Sequence, residues 1–241
     1  MGSHCNLHLY AEDFSEAEDT ANLVIDEIQR IEERYSRYRP DSLLSEINRA
    51  ALRGEKIEVD EETAGLLDYA MACGGLFDIS AGVLREAWDF DSGVLPSQEK
   101  IDGILPRVGM DKIKWNAPRL EFLVPGMDLD LGGDIFVIGP HVDGAPWEIG
   151  IRHPEDHGTL ITSVELSQVA FAISGDYERC MEIGGKRYGH IINPLTGWPA
   201  RGLASVSVVA GRCMVAGSIC TIVRHPIKDK SEGFRSINQF S

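Results

Sequence analysis

The sequence predicts an α+β fold on three observations. Lys112 to Trp115, Leu120 to Val124 and Leu203 to Ala210 alternate apolar and polar residues as half-buried strands do, the first two as a candidate pair. Ala17, Ala21, Val24, Ile25, Ile28, Ile31 and Tyr35 recur at helical spacing in one apolar stripe. Between such segments lie turn residues, packed most densely from Gly189 to Pro199.

Bulk composition narrows the function. With 241 residues, 43% hydrophobic, the chain can bury a substantial core, and its length fits one large domain or two small ones, with no interdomain linker evident in 1–241. A net charge of −15 argues against general nucleic-acid binding, which needs clustered Lys and Arg. No apolar run approaches the roughly 18 residues of a membrane span, and no charged-then-apolar leader pattern is present. Cys5, Cys73, Cys180, Cys213 and Cys220 are odd in number and lack Cys-x-x-Cys spacing, so buried free thiols are expected.

In chain order, Cys5, Leu7 and Leu9 alternate with His4, Asn6 and His8 as a strand. Ser15 and Glu18 form a capping box for the striped helix, which must finish before Pro40 and leaves Tyr38 able to face a ligand or pack. Asp41 to Asn48 suggests a short helix, and Asp60 caps another that stops at Gly74-Gly75. Asp78 can cap a helix from Ser80 to Trp88, while its neighbouring backbone can meet a ligand. Ser97 starts a helix ended by Pro106.

Met127 to Leu131 alternates with Asp128 and Asp130 on one face, then meets Gly132-Gly133, where backbone can approach a ligand closely. Strands are also expected at Ile135 to Ile138, Trp147 to Ile151, Ile161 to Leu166 and Val169 to Ile173, the last stopping at Ser174-Gly175. His153 and His157 read as solvated loop residues, and Met214 to Val223 as a helix with Ser218 and Thr221 on one face.

His190 ends a candidate strand, Lys186 to Ile192, entered through Gly184-Gly185 and left through a loop fixed by Pro194 and Gly197. So held, a histidine can act as general base near neutral pH; it can equally do no more than bond local backbone.

Six stretches in this order resemble the FAD:protein FMN transferase family, also called ApbE. They are Met1-Gly2-Ser3, Tyr38-Arg39-Pro40-Asp41-Ser42, Gly75-Leu76-Phe77-Asp78, Leu129-Asp130-Leu131-Gly132-Gly133, Ser174-Gly175-Asp176-Tyr177 and His190 to Gly197. The resemblance implies a mixed fold with antiparallel-rich sheets and a flavin cleft between two lobes. It implies an enzyme that moves FMN from FAD onto a Ser or Thr hydroxyl of an acceptor protein and releases AMP; alternatives are FAD hydrolysis to FMN and AMP, or FAD binding without turnover. By match to its motifs, Met1, Tyr38, Leu76, Phe77 and Asp78 contact the flavin, with Gly132, Ser174, Gly175 and Ile191 nearby, and His190 takes the acceptor proton. Magnesium is the implied source of positive charge, with Thr221 as a ligand. A soluble protein, periplasmic or cytoplasmic in a bacterium, is expected.

Two positions depart from that pattern. Gly132-Gly133 runs straight into Asp134, where the family has a further helix and a second Gly-Gly-Asp, as if roughly 30 residues, a helix plus connections, were missing. Gly217 stands four residues before Thr221, where the family carries an Asp metal ligand.

Overall fold

The computed structural model of the protein describes residues 13–130, 143–153, 158–175 and 180–224, with Leu7, Leu9, Ala11, Asp156 and the backbone of Ile135 and Phe136. Its helices are α1 (Phe14–Tyr35), α2 (Leu43–Arg53), α3 (Glu61–Ala72), α4 (Gln98–Ile104) and α5 (Cys213–Arg224). Its strands are β1 (Lys56–Glu58), β2 (Ile113–Asn116), β3 (Arg119–Phe122), β4 (Ile135–Phe136), β5 (Trp147–Arg152), β6 (Leu160–Leu166), β7 (Ala170–Gly175), β8 (Cys180–Ile183), β9 (Lys186–Gly189) and β10 (Ser205–Ala210). All their pairings are antiparallel: sheets ordered β1-β3-β2 and β10-β7-β4, and hairpins β5-β6 and β8-β9. The α+β expectation holds.

Side-chain caps set the helix starts. Asp60 accepts the Thr63 N–H at 3.0 Å and Ser97 the Lys100 N–H at 3.2 Å, both as the sequence predicts. At α1 the cap is Asp13, which accepts the Glu16 N–H at 2.8 Å; the expected cap, Ser15, lies inside the helix. Ser42 caps α2, which runs past Asn48 because Ala50 and Ala51 continue the buried face of Leu44 and Ile47. The stripe of α1 is only half-buried, and Ile25 is exposed.

Three apolar clusters organise the described residues. One joins α2 and α3 to the β1-β3-β2 sheet and to Met127 and Leu129. A second packs Val83, Leu84, Trp88 and α4 against Met181 and Tyr188 of the β8-β9 hairpin. The third sets α5 on β7 and β10 through Ala170, Ala172, Ala216 and Cys220. A hydrogen bond between Tyr69 Oη and Ser218 Oγ, 2.5 Å, ties α3 to α5.

Several expectations change. The helix expected from Ser80 to Trp88 is a 3-10 helix, Gly82–Glu86, without a side-chain cap. Met127 to Asp130 keeps its alternation, with Met127 and Leu129 buried, but forms only an isolated bridge from Asp128 to Ala81. β7 runs through Ser174 and Gly175 because both pair with β10. Of the described thiols only Cys220 is buried; Cys73, Cys180 and Cys213 are half-buried. His153 Nδ1 accepts the Asp156 N–H at 3.1 Å, a loop bond the solvated reading omitted. In the expected N-terminal strand only Leu7 and Leu9 are described, both exposed and outside any strand.

Candidate active site

The loop after His190 is fixed at both ends. β8 and β9 turn through Gly184 and Gly185, both at positive φ (60° and 70°), as a tight two-residue turn demands. β9 ends at Gly189, short of the predicted Ile192, so exposed His190 is the first loop residue. Buried Asn193 organises the rest of the loop: its Oδ1 accepts the Leu195 N–H at 2.8 Å, its carbonyl accepts those of Thr196 and Gly197 at 3.2 and 2.8 Å, and its own N–H donates to Trp198 O at 2.8 Å. Ala200 N–H donates to Ile191 O at 2.8 Å, and Ile192 bridges to Pro199.

The same loop docks on the second cluster. Gly197 has φ 69°, and a Cβ there would lie 2.4 Å from Ile101 Cγ2. Trp88 Nε1 donates to Gly197 O at 2.7 Å and Trp198 Nε1 to Gln98 Oε1 at 2.9 Å, and the two indoles meet edge to face at 5.3 Å. His190 thus stands where rigid backbone leaves little room for drift.

Two further motif segments meet at residues 128–130. Tyr38 and Leu76 present exposed side chains, whereas Phe77 packs against the first cluster. Asp78 Oδ1 accepts the Ser80 N–H at 2.9 Å and the Ser80 hydroxyl at 2.6 Å, while Ser80 Oγ accepts the Gly109 N–H at 2.7 Å. Burial pushes the Asp78 carboxyl above its ordinary range, against the lowering effect of Ser80. Its oxygen is therefore spent on holding the turn. Asp130 N–H donates to Ile79 O at 2.9 Å. Asn48 grips Leu129 from both sides, donating to its carbonyl at 3.2 Å and accepting its N–H at 2.8 Å. The 3-10 helix after Ile79 carries Leu84 to the His190 loop, completing a continuous frame from Tyr38 to His190.

Ser174 and Gly175 lie on β7, opposite Val206 and Ser205 of β10. Arg224 Nη1 donates to Ser174 O at 2.9 Å and to Ala204 O at 3.4 Å from the end of α5. Thr221 Oγ1 donates to Gly217 O, one turn back, at 3.2 Å. Among the described residues no group of three or more His, Cys, Asp or Glu side chains is placed to hold a metal ion. Met1, Gly132, Asp176 and Tyr177 lie outside the described residues. Sequence reasoning missed Asn48, Arg37 and Trp88. Asn48 and Trp88 gave no local signal; for Arg37 the carboxylates of Asp128 and Asp130 on one face were a cue that a cation must meet them.

Fold and geometry define an α+β protein in which exposed His190 opens a loop held by Asn193, Trp88 and Trp198. The chain belongs to the ApbE family, whose sequence model matches residues 1–133 and 129–238. It is similar to the FAD:protein FMN transferase of Vibrio cholerae serotype O1, 28% identical over 232 positions, with 80% of this chain and 69% of the relative covered. It is also similar to that of Rhodobacter capsulatus, 30% identical, covering 74% of this chain but 41% of the relative. Among solved structures, the ApbE protein of Thermotoga maritima superposes with a TM-score of 0.76 at 29% identity, over 86% of this chain and 78% of that one. The flavin transferase ApbE of Vibrio cholerae gives 0.70 at 26%, over 88% and 78%.

The two stretches matched by the family model overlap at residues 129–133. The alignment with the Vibrio cholerae relative also runs over 232 positions while taking in about 193 residues of this chain, 80% of 241. Roughly 40 positions therefore fall where this chain has no residue.

Proposed function

We propose that this chain, acting as one unit over residues 1–241, transfers the FMN half of FAD to a Ser or Thr hydroxyl of an acceptor protein and releases AMP. The observation that carries the reading is the family match, supported by relatives named FAD:protein FMN transferase. In the reaction the His190 imidazole takes the acceptor hydroxyl proton as that oxygen attacks the phosphorus of the FMN half. The bond from that phosphorus to the bridging oxygen breaks, and AMP leaves with the oxygen. Tyr38, Leu76 and Ile191 line the flavin, with Phe77 and Asp78 shaping the turn beneath it. By match to the family's motifs we also assign Met1, Gly132, Ser174 and Gly175 to flavin contact.

The implied magnesium fits the described residues poorly. Thr221 offers one hydroxyl, already donating within its helix, and Gly217 adds no side-chain oxygen, whereas a hard cation takes six or so oxygen ligands. Gly217 and the roughly 40 aligned positions at which this chain has no residue favour a second reading, FAD binding without turnover. Incubation with FAD, a magnesium salt and an acceptor protein, followed by covalent flavin fluorescence on a denaturing gel, separates the two. Labelled acceptor with AMP supports transfer; AMP without label indicates hydrolysis; neither, with FAD retained, supports the carrier.

A further inference from the structure

Beside the turns assigned to the flavin lies a charge cluster to which none of the comparisons gives a role. The Arg37 guanidinium pairs with Asp128 through Nη2 and reaches Asp130 at 3.6 Å through Nη1; Arg85 pairs with Asp130 from the 3-10 helix. Arg37, Asp128 and Asp130 are largely shielded, their side chains 19%, 25% and 31% exposed, whereas Arg85 is 49% exposed. Burial raises the Asp128 carboxyl, and the Arg37 charge opposes that rise. Arg37 Nη1 is buried without a hydrogen bond among the described residues, so its contact with Asp130 is electrostatic.

The geometry of these pairs fixes three segments to one another. Arg37 directly precedes Tyr38, Asp128 bridges to Ala81 just past Asp78, and Asp130 bonds Ile79. There is little slack: a Cβ on Gly82 would sit 2.8 Å from Asp128 O and 2.9 Å from its Oδ2. Resting on the flavin reading above, we propose that Arg37 is a positioning residue for FAD: by pairing with Asp128 and Asp130 it holds the Tyr38 turn in register with the Leu76–Asp78 turn, and so sets flavin affinity without touching the reacting atoms.

The test uses the full chain. Arg37→Met alone strands the shielded Asp128 carboxylate, while Asp130 keeps Arg85, and can unfold the protein, so it is paired with Arg37→Met/Asp128→Asn, which removes that charge, and with Arg37→Lys. FAD affinity is read by quenching of flavin fluorescence, and folding by circular dichroism and melting temperature. The folded double variant should bind FAD at least tenfold more weakly than the native chain, Arg37→Lys should recover part of that loss, and kcat should stay within about twofold at saturating FAD. A folded double variant with native affinity overturns the proposal and leaves the flavin reading standing. A native chain that binds no FAD overturns both.

Discussion

Gly197→Ala probes the lock on the His190 loop. Alanine must adopt φ 69°, which for a residue with a Cβ costs about 1–2 kcal/mol. Its methyl also begins 2.4 Å from Ile101 Cγ2, and such overpacking in a dense core costs about 1–3 kcal/mol. The sum, about 2–5 kcal/mol, is a large part of the roughly 5–15 kcal/mol that holds a domain together. At roughly 2–4 °C per kcal/mol for a chain of this size, melting should fall by about 4–20 °C in a calorimetric scan. Ile101→Leu removes the opposing Cγ2 at nearly constant volume, so combined with Gly197→Ala it should recover about 0.5–3 kcal/mol relative to additivity. Melting within about 2 °C of the native chain, or strict additivity, would refute the claim that this contact fixes the loop.

Other expectations concern the turns and caps. Asp78→Asn keeps an oxygen for Ser80 but removes a carboxyl whose folded pKa is raised by burial. The native chain therefore loses stability as pH climbs from about 4 through that raised value, and the variant, compared by urea unfolding, should gain on it toward neutral pH; a pH-independent difference contradicts the burial argument. Asp60 is held at about 2, mainly by the Thr63 N–H and then by Arg34, so its contribution is present above pH 4 and is lost as pH falls toward 2. Asp60→Ala should cost about 0.5–2 kcal/mol at neutral pH, and the gap to the native chain should close in acid. Trp88→Phe removes the donor to Gly197 O and should cost about 0.5–1.5 kcal/mol by thermal unfolding while leaving helix content unchanged.

Local signals were legible where the physics is local. Asp60, Ser97 and the Gly184-Gly185 turn were readable because caps and tight turns depend on residues three or fewer positions apart. The alternation of Met127 to Asp130 gave the right faces but not the absence of a ladder, since a strand exists only when a partner is present. Tyr38 left the helical stripe as its position suggested, yet Asp78 turned inward to Ser80, a choice that the nearby Gly109 and Lys112 help decide and that lies some 30 residues away in sequence. Arg37, Asn48 and Trp88 act across 81 to 109 positions, a range that periodicity does not reach.

The most direct measurement compares the native chain with His190→Ala, tracking covalent flavin on an acceptor protein and FAD affinity in parallel. The account predicts loss of labelling by at least a hundredfold with FAD affinity nearly unchanged, because a base acts on the reacting proton and not on the bound ground state. Equal loss of both, or a variant that still labels the acceptor at the native rate, would contradict it.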